Sequence, residues 1–133
     1  MSACLSLRKA PVREVRLQIE LDAFSGRPNP RWEMSVEQAA EFLRRLRSLK
    51  ASQAGASTSD GLGYRGFVVR PDGGPVDGFD EVRLYKGSVV VRRENRSETF
   101  SDPERSLERW LLDSARGHVD EPVLEYIRSE MGR

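Results

Sequence analysis

Cysteine is almost missing from this chain. Cys4 is the only one, which excludes an intramolecular disulfide and a thiolate metal cluster and fits a reducing compartment. Histidine is equally scarce: His118 stands alone, so no second imidazole lies at metal-ligand spacing. An excess of one charge is missing too, since 22 Lys and Arg against 21 Asp and Glu leave a net charge of +1. That balance removes the broad pull toward nucleic acid or an anionic membrane. No apolar run approaches the ~20 residues that cross a bilayer, and the first residues carry no apolar segment long enough for a secretory signal. Ser2-Ala3-Cys4 has the small-small-Cys look of a lipoprotein cleavage site without the apolar segment that should precede it. The expectation is a soluble, cytoplasmic protein with no membrane contact, no nucleic acid, no metal and no cofactor.

Lysine is the last shortage, with only Lys9, Lys50 and Lys86 against 19 arginines. Arginine suits bidentate anion recognition, but a compositional bias explains the count more simply. What remains is a chain of 133 residues, 32% charged and 38% hydrophobic. That length builds one domain with a modest core and a salt-laced surface.

Along the chain, Val15, Leu17, Ile19 and Leu21 alternate with polar residues, the period of a half-buried strand. Ser35 and Gln38 have the spacing of a capping box, and Val36, Ala39, Ala40, Leu43, Leu46 and Leu49 trace a helical stripe to about Lys50. Tyr64 to Arg70, Glu81 to Tyr85 and Ser88 to Arg93 read as three strands, the last two joined by Lys86-Gly87 as a tight hairpin prefers. Asp102-Pro103-Glu104 starts a helix that buries Leu107, Trp110, Leu111 and Ala115 and stops at Gly117. A final helix opens at Asp120-Glu121-Pro122 and turns Leu124, Ile127 and Met131 inward. The assembly expected is one α+β domain of order β-α-β-β-β-α-α. It should have a mainly antiparallel sheet of about four strands, with the helices packed on one face. Residues 1–11 read as a loose N-terminal arm and residues 51–63 as a mobile loop.

The stretch Phe24-Ser25-Gly26-Arg27-Pro28-Asn29-Pro30-Arg31-Trp32 holds more specified residues than a connector needs. Two prolines fix their own φ angles and restrict the residues before them, so the loop is stiff and can present side chains at little ordering cost. Arg27, Asn29, Arg31 and Trp32 are the candidate binding residues: Arg27 for charge, Asn29 for orienting hydrogen bonds, Trp32 for an apolar wall. No catalytic residue stands out. His118 with Asp120 and Glu121 lacks the further ligands of a metal site. Ser25, His118 and Asp22 lack an elbow or an oxyanion-hole motif, and Cys4 has nothing to lower its pKa. Gly61-Leu62-Gly63 matches no phosphate cradle. Arg44-Arg45-Leu46-Arg47 and Arg92-Arg93 with Arg96 read as solvated faces, and Tyr64, Phe67 and Tyr85 as sheet packing rather than a base-stacking platform.

FSGRPNPRW, GLGYRGFVV and ERWLLDSARGHVD together resemble blocks shared by a family of small α+β proteins with no known activity, over about Glu20 to Asp120. The resemblance implies a single domain and no catalytic residue. The leading functional expectation is a non-catalytic binding or interaction module working through the 24–32 loop, monomeric or homodimeric. Its partner would be a small anionic ligand or a protein. The alternative is a small enzyme acting on an anionic metabolite, with Asp22 as base and Arg27 as anion anchor. A third reading has a sheet edge pairing with a second copy or another protein.

Overall fold

The computed structural model describes residues 15–24, 26–53, 55 and 63–132. The expected N-terminal arm, Cys4, Ser25 and most of the 51–63 loop lie outside that set. Strand β1 (Leu17–Leu21) buries Leu17, Ile19 and Leu21 as its alternation requires. Strand β2 (Arg31–Glu33) folds straight back on it, with Ile19 opposite Trp32. Helix α1 (Val36–Arg47) follows, its start closed by a reciprocal Ser35–Gln38 capping box and its last turn carrying Arg44, Arg45 and Arg47. Those cations complement the negative end of the helix dipole. Then come β3 (Lys50–Ala51), β4 (Phe67–Pro71), β5 (Phe79–Tyr85), β6 (Ser88–Arg93) and β7 (Arg96–Ser101). A single 3-10 turn (Pro103–Arg105) leads into α2 (Ser106–Ser114), and α3 (Glu121–Met131) ends the described chain.

The described strands form one antiparallel sheet in the order β2-β1-β4-β5-β6-β7-β3. The class expected from sequence holds, but the sheet has seven strands, not about four, and the element order differs. The missed strands gave no period to read. β2 has three residues and β3 two, too few for an alternation to register. β7 reads Arg-Ser-Glu-Thr-Phe-Ser, with Phe100 its one apolar residue. The 24–32 stretch is therefore mostly a hairpin loop between β1 and β2, not a lead into the helix.

Register divides the sheet into two unlike faces. Ile19, Val69, Val82 and Val91 line up across four strands, as do Leu21, Phe67, Leu84 and Val89. All join Phe42 and Leu43 of α1, Leu107 and Leu111 of α2, and Leu124 and Ile127 of α3 in one core. The helices thus share this face, as expected. Trp110 departs from its expected place: it is only half-buried, stacked 6.5 Å from Phe42 with the Arg45 guanidinium 5.4 Å from its ring. Glu108 and Leu112 are buried on α2 instead. Lys86 (φ 52) and Gly87 (φ 78) make the expected tight hairpin.

Two glycines near the first hairpin differ in what they would tolerate. Gly66 has φ +110, and a Cβ there would sit 2.2 Å from the Leu84 carbonyl oxygen; Gly26 has φ +94 with open space around it. Gly66→Ala should abolish soluble folding, whereas Gly26→Ala should cost about 1 kcal/mol of backbone strain. Urea denaturation of the two variants, with soluble yield as the first readout, checks the contrast.

Candidate functional site

The 22–30 loop is held by one side chain. Asn29 Oδ1 accepts the backbone N–H groups of Ala23 (3.1 Å) and Phe24 (3.0 Å). Its Nδ2 donates to Glu20 (2.9 Å) and, at 3.4 Å, to Asp22. Leu21 N–H donates to the Pro30 carbonyl at 3.0 Å to close the hairpin. Arg65 braces it from β4's lead-in: its guanidinium donates to Asp22 (2.8 Å) and to the Phe24 carbonyl (3.0 Å).

Beneath this loop, on the sheet face away from the helices, guanidinium and carboxylate groups alternate across the strands. Arg31 (3.5 Å) and Arg70 (2.8 Å) flank Glu20, Arg70 reaches Glu81 (3.3 Å), and Arg92 approaches Glu81 (3.8 Å) and Asp80 (3.4 Å). Asp22 holds Arg65 and, at 3.2 Å, Arg83. The carboxylates lie low and the arginines over them: side-chain exposure is 14% for Glu20 against 65% for Arg31. Val68, opposite both Glu20 and Arg83 in register, is buried on this polar face, where arginine stems can cover it. Burial alone would raise the Glu20 carboxyl, but hydrogen bonds from Arg70 and Asn29 and the nearby Arg31 charge outweigh it and hold its pKa below the ordinary value.

The four sequence candidates are not brought together. Asn29 is fully engaged inside the protein. Arg31 belongs to the charged sheet face. Trp32 is buried, its ring stacked parallel to His118 at 5.4 Å, and its indole N–H has no hydrogen-bond partner among the described residues. Arg27 alone is presented: it is exposed, its guanidinium 3.9 Å above the Phe24 ring, with no carboxylate at ion-pair distance among the described residues.

Arg27, Phe24, Pro28 and Pro30 form one side of an open groove of about 190 Å³ whose other side is His118, Val119, Asp120 and Val123. The second side is also built tightly. His118 and Val119 N–H groups both donate to the Ala115 carbonyl, and Gly117 takes φ 85 between the helices. Residues of all three sequence blocks therefore meet here: the loop itself, Arg65 behind it, and His118 across it. Asp22 does not line the groove and is already bound by Arg65, Arg83 and Asn29, so the geometry does not assemble the Asp22–Arg27 enzyme site. Among the described residues no cluster of three His, Cys, Asp or Glu groups could hold a metal ion. Arg44 and Arg45 pair with Glu41, Arg47 with Asp77, and Arg93 with Glu98.

A second polar cluster escaped the sequence reading. Glu108, fully buried, accepts the Tyr64 hydroxyl and a two-nitrogen contact from Arg105 at 3.0 and 2.7 Å. Burial, and next the Glu108 charge, push the Tyr64 hydroxyl far above its ordinary pKa. Asp102 caps α2 by accepting the N–H groups of Leu107 and Glu108. The available signal was a glutamate three residues before Leu111 on an apolar helical stripe. No hollow described here reaches Tyr64 or Glu108, and the cluster fastens α2 to the sheet.

Comparison with protein-family models, curated proteins and solved structures finds no match for the chain. Among the described residues no helix is long and apolar enough to cross a membrane.

Two substitutions test the loop clamp. Asn29→Ala removes its hydrogen bonds and should cost about 2 kcal/mol. Asn29→Asp keeps the oxygen that accepts the two backbone N–H groups but sets a third carboxylate against Glu20 and Asp22, so at neutral pH it should be worse than alanine. Protonation lifts that repulsion, so the gap should close or reverse by about pH 3.5. Glu20→Gln tests the face below. A lowered folded-state pKa contributes stability above the carboxyl's ordinary titration range and loses it as pH falls. The deficit of Glu20→Gln against wild type should therefore be about 1–2 kcal/mol at pH 7 and shrink by about pH 3.5. Urea denaturation at both pH values reads all three variants.

Proposed function

We propose that this protein is a non-catalytic interaction module that receives an extended segment of a protein partner in the groove between the 22–30 loop and the α2–α3 connection. The observation that carries this is Arg27. In a molecule where most described arginines are tied to carboxylates, this one stands exposed on a loop held rigid by Asn29, Arg65 and two prolines. A charge presented on a stiff loop loses little entropy when it meets a ligand. Its bed on Phe24 keeps the guanidinium in place while leaving its donors available.

The size of the groove favours a protein over a metabolite. At about 190 Å³ it is smaller than sites that enclose small molecules, which run from roughly 300 to 1,000 Å³. It suits one or two side chains of a segment lying across it. Phe24, Pro28, Pro30, Val119 and Val123 would take apolar residues, and Arg27 an adjacent acidic one.

Fluorescence anisotropy with labelled hexapeptides that alternate aliphatic and acidic residues tests the reading. Binding should weaken about tenfold in Arg27→Ala, the range of a lost charge-assisted hydrogen bond. That variant should melt within about 1 °C of wild type, because an exposed, unpaired arginine contributes little to stability. Equal peptide binding by wild type and Arg27→Ala would remove the loop as the binding surface.

A further inference from the structure

Where α1 ends and α2 begins, two adjoining hollows of about 530 and 580 Å³ share Arg45, Glu104 and Ser106, and neither shares a residue with the loop groove. These volumes are those of small-molecule sites. The first hollow combines an apolar part, Leu49, Pro103 and the buried Leu107, with the cations Arg45 and Lys50.

The placement of Lys50 follows from the topology. Strand β3 crosses to the far edge of the sheet and sets Lys50 opposite Ser101, which delivers an ammonium to the mouth of α2. Among the described residues no carboxylate lies at ion-pair distance from it. Two carboxylates, Asp102 and Glu104, also line the hollow. Asp102 is buried and turned to its own helix, where Leu107 and Glu108 amides occupy it at 2.9–3.1 Å. Glu104 belongs, with Arg45, to the part shared with the second hollow. Arg45 is already paired with Glu41 at 2.6 Å, which leaves Lys50 as the lining cation without a carboxylate among the described residues. The lining is also held in a costly backbone form. Glu104 (φ 58) and the adjacent Arg105 (φ 56) are consecutive non-glycine residues in the left-handed region. The Arg105–Glu108 contact and the Asp102 cap hold them there. Such conformations persist only when the surroundings over-determine them, and they gather at ligand sites.

We propose that this cleft binds a small organic anion: an apolar ring or short chain against Leu49, Pro103 and Leu107, with one carboxylate or phosphate at Lys50. It is a second site, independent of the loop groove.

The test is titration of the full chain with phenyl phosphate and with benzoate, followed by amide NMR shifts and calorimetry. Inorganic phosphate and benzyl alcohol serve as the half-ligands. The aromatic anion should shift the amides of Lys50 and residues 101–107 and bind about tenfold tighter than either half alone. Lys50→Glu, a change at an exposed side chain with no ion pair among the described residues, should weaken it by about tenfold or more, while Arg27→Ala should leave it unchanged. Whichever of the two aromatic anions binds tighter identifies the head group. The proposal is overturned if these amides do not move, if Lys50→Glu binds as tightly as wild type, or if inorganic phosphate alone binds as well as its phenyl ester. Loss of binding in Arg27→Ala with Lys50→Glu intact would assign the anion to the loop instead.

Discussion

The carboxamide of Asn29 is the constraint on which the rest of this molecule's surface depends. Its oxygen faces two amides of its own loop and its nitrogen faces two carboxylates of the sheet. Only a group that accepts on one side and donates on the other can stand there, and of the side chains of this length only asparagine does both. The same four contacts fix the loop, orient Glu20 and Asp22 toward their arginines, and leave Arg27 facing outward. Loop rigidity and sheet electrostatics are one structure here, joined at one residue.

The arginine excess then has a local meaning that composition alone did not show. A guanidinium can address two carboxylates at once through its fork, which an ammonium does less well. Arg70 does so between Glu20 and Glu81, on strands either side of its own. Each such contact is worth little in isolation at a wet surface. Laid over the low-lying carboxylates they form a continuous cover for the polar face. That cover does not require the chain as a whole to be basic.

The class of the fold was legible because its signals are local. Leu17, Ile19 and Leu21 alternate, Ser35 and Gln38 cap, and Leu124, Ile127 and Met131 share a helical face; each pattern was realised. What could not be read was set by pairing rather than by pattern. Arg31–Glu33 is a strand only because β1 offers it an edge, and Lys50–Ala51 only because β7 does. The site was legible in the same partial way. Spacing marked the loop as over-specified, but it could not show which side each residue would face. Trp32 turned to the core and Arg31 to the charged face because Ile19 and Glu20, on opposite faces of β1, sit opposite them. His118 entered the site through a stacking contact with Trp32 that no sequence period encodes.

The strand order carries a consequence for how the molecule comes together and comes apart. From β4 to β7 neighbours in the sheet are neighbours in the chain, so these hairpins close at small entropic cost. The pairings that join the margins to this meander span longer separations: Leu21 pairs with Phe67, and Ala51 with Phe100. Such distant closures come late in folding. By the same asymmetry, opening a margin breaks few pairings, two residue pairs for β3 and three for β2 against six between β6 and β7. The loop groove is built on one margin and the Lys50 cleft on the other. Occupying either surface would therefore fasten the part of the sheet that has the fewest pairings of its own.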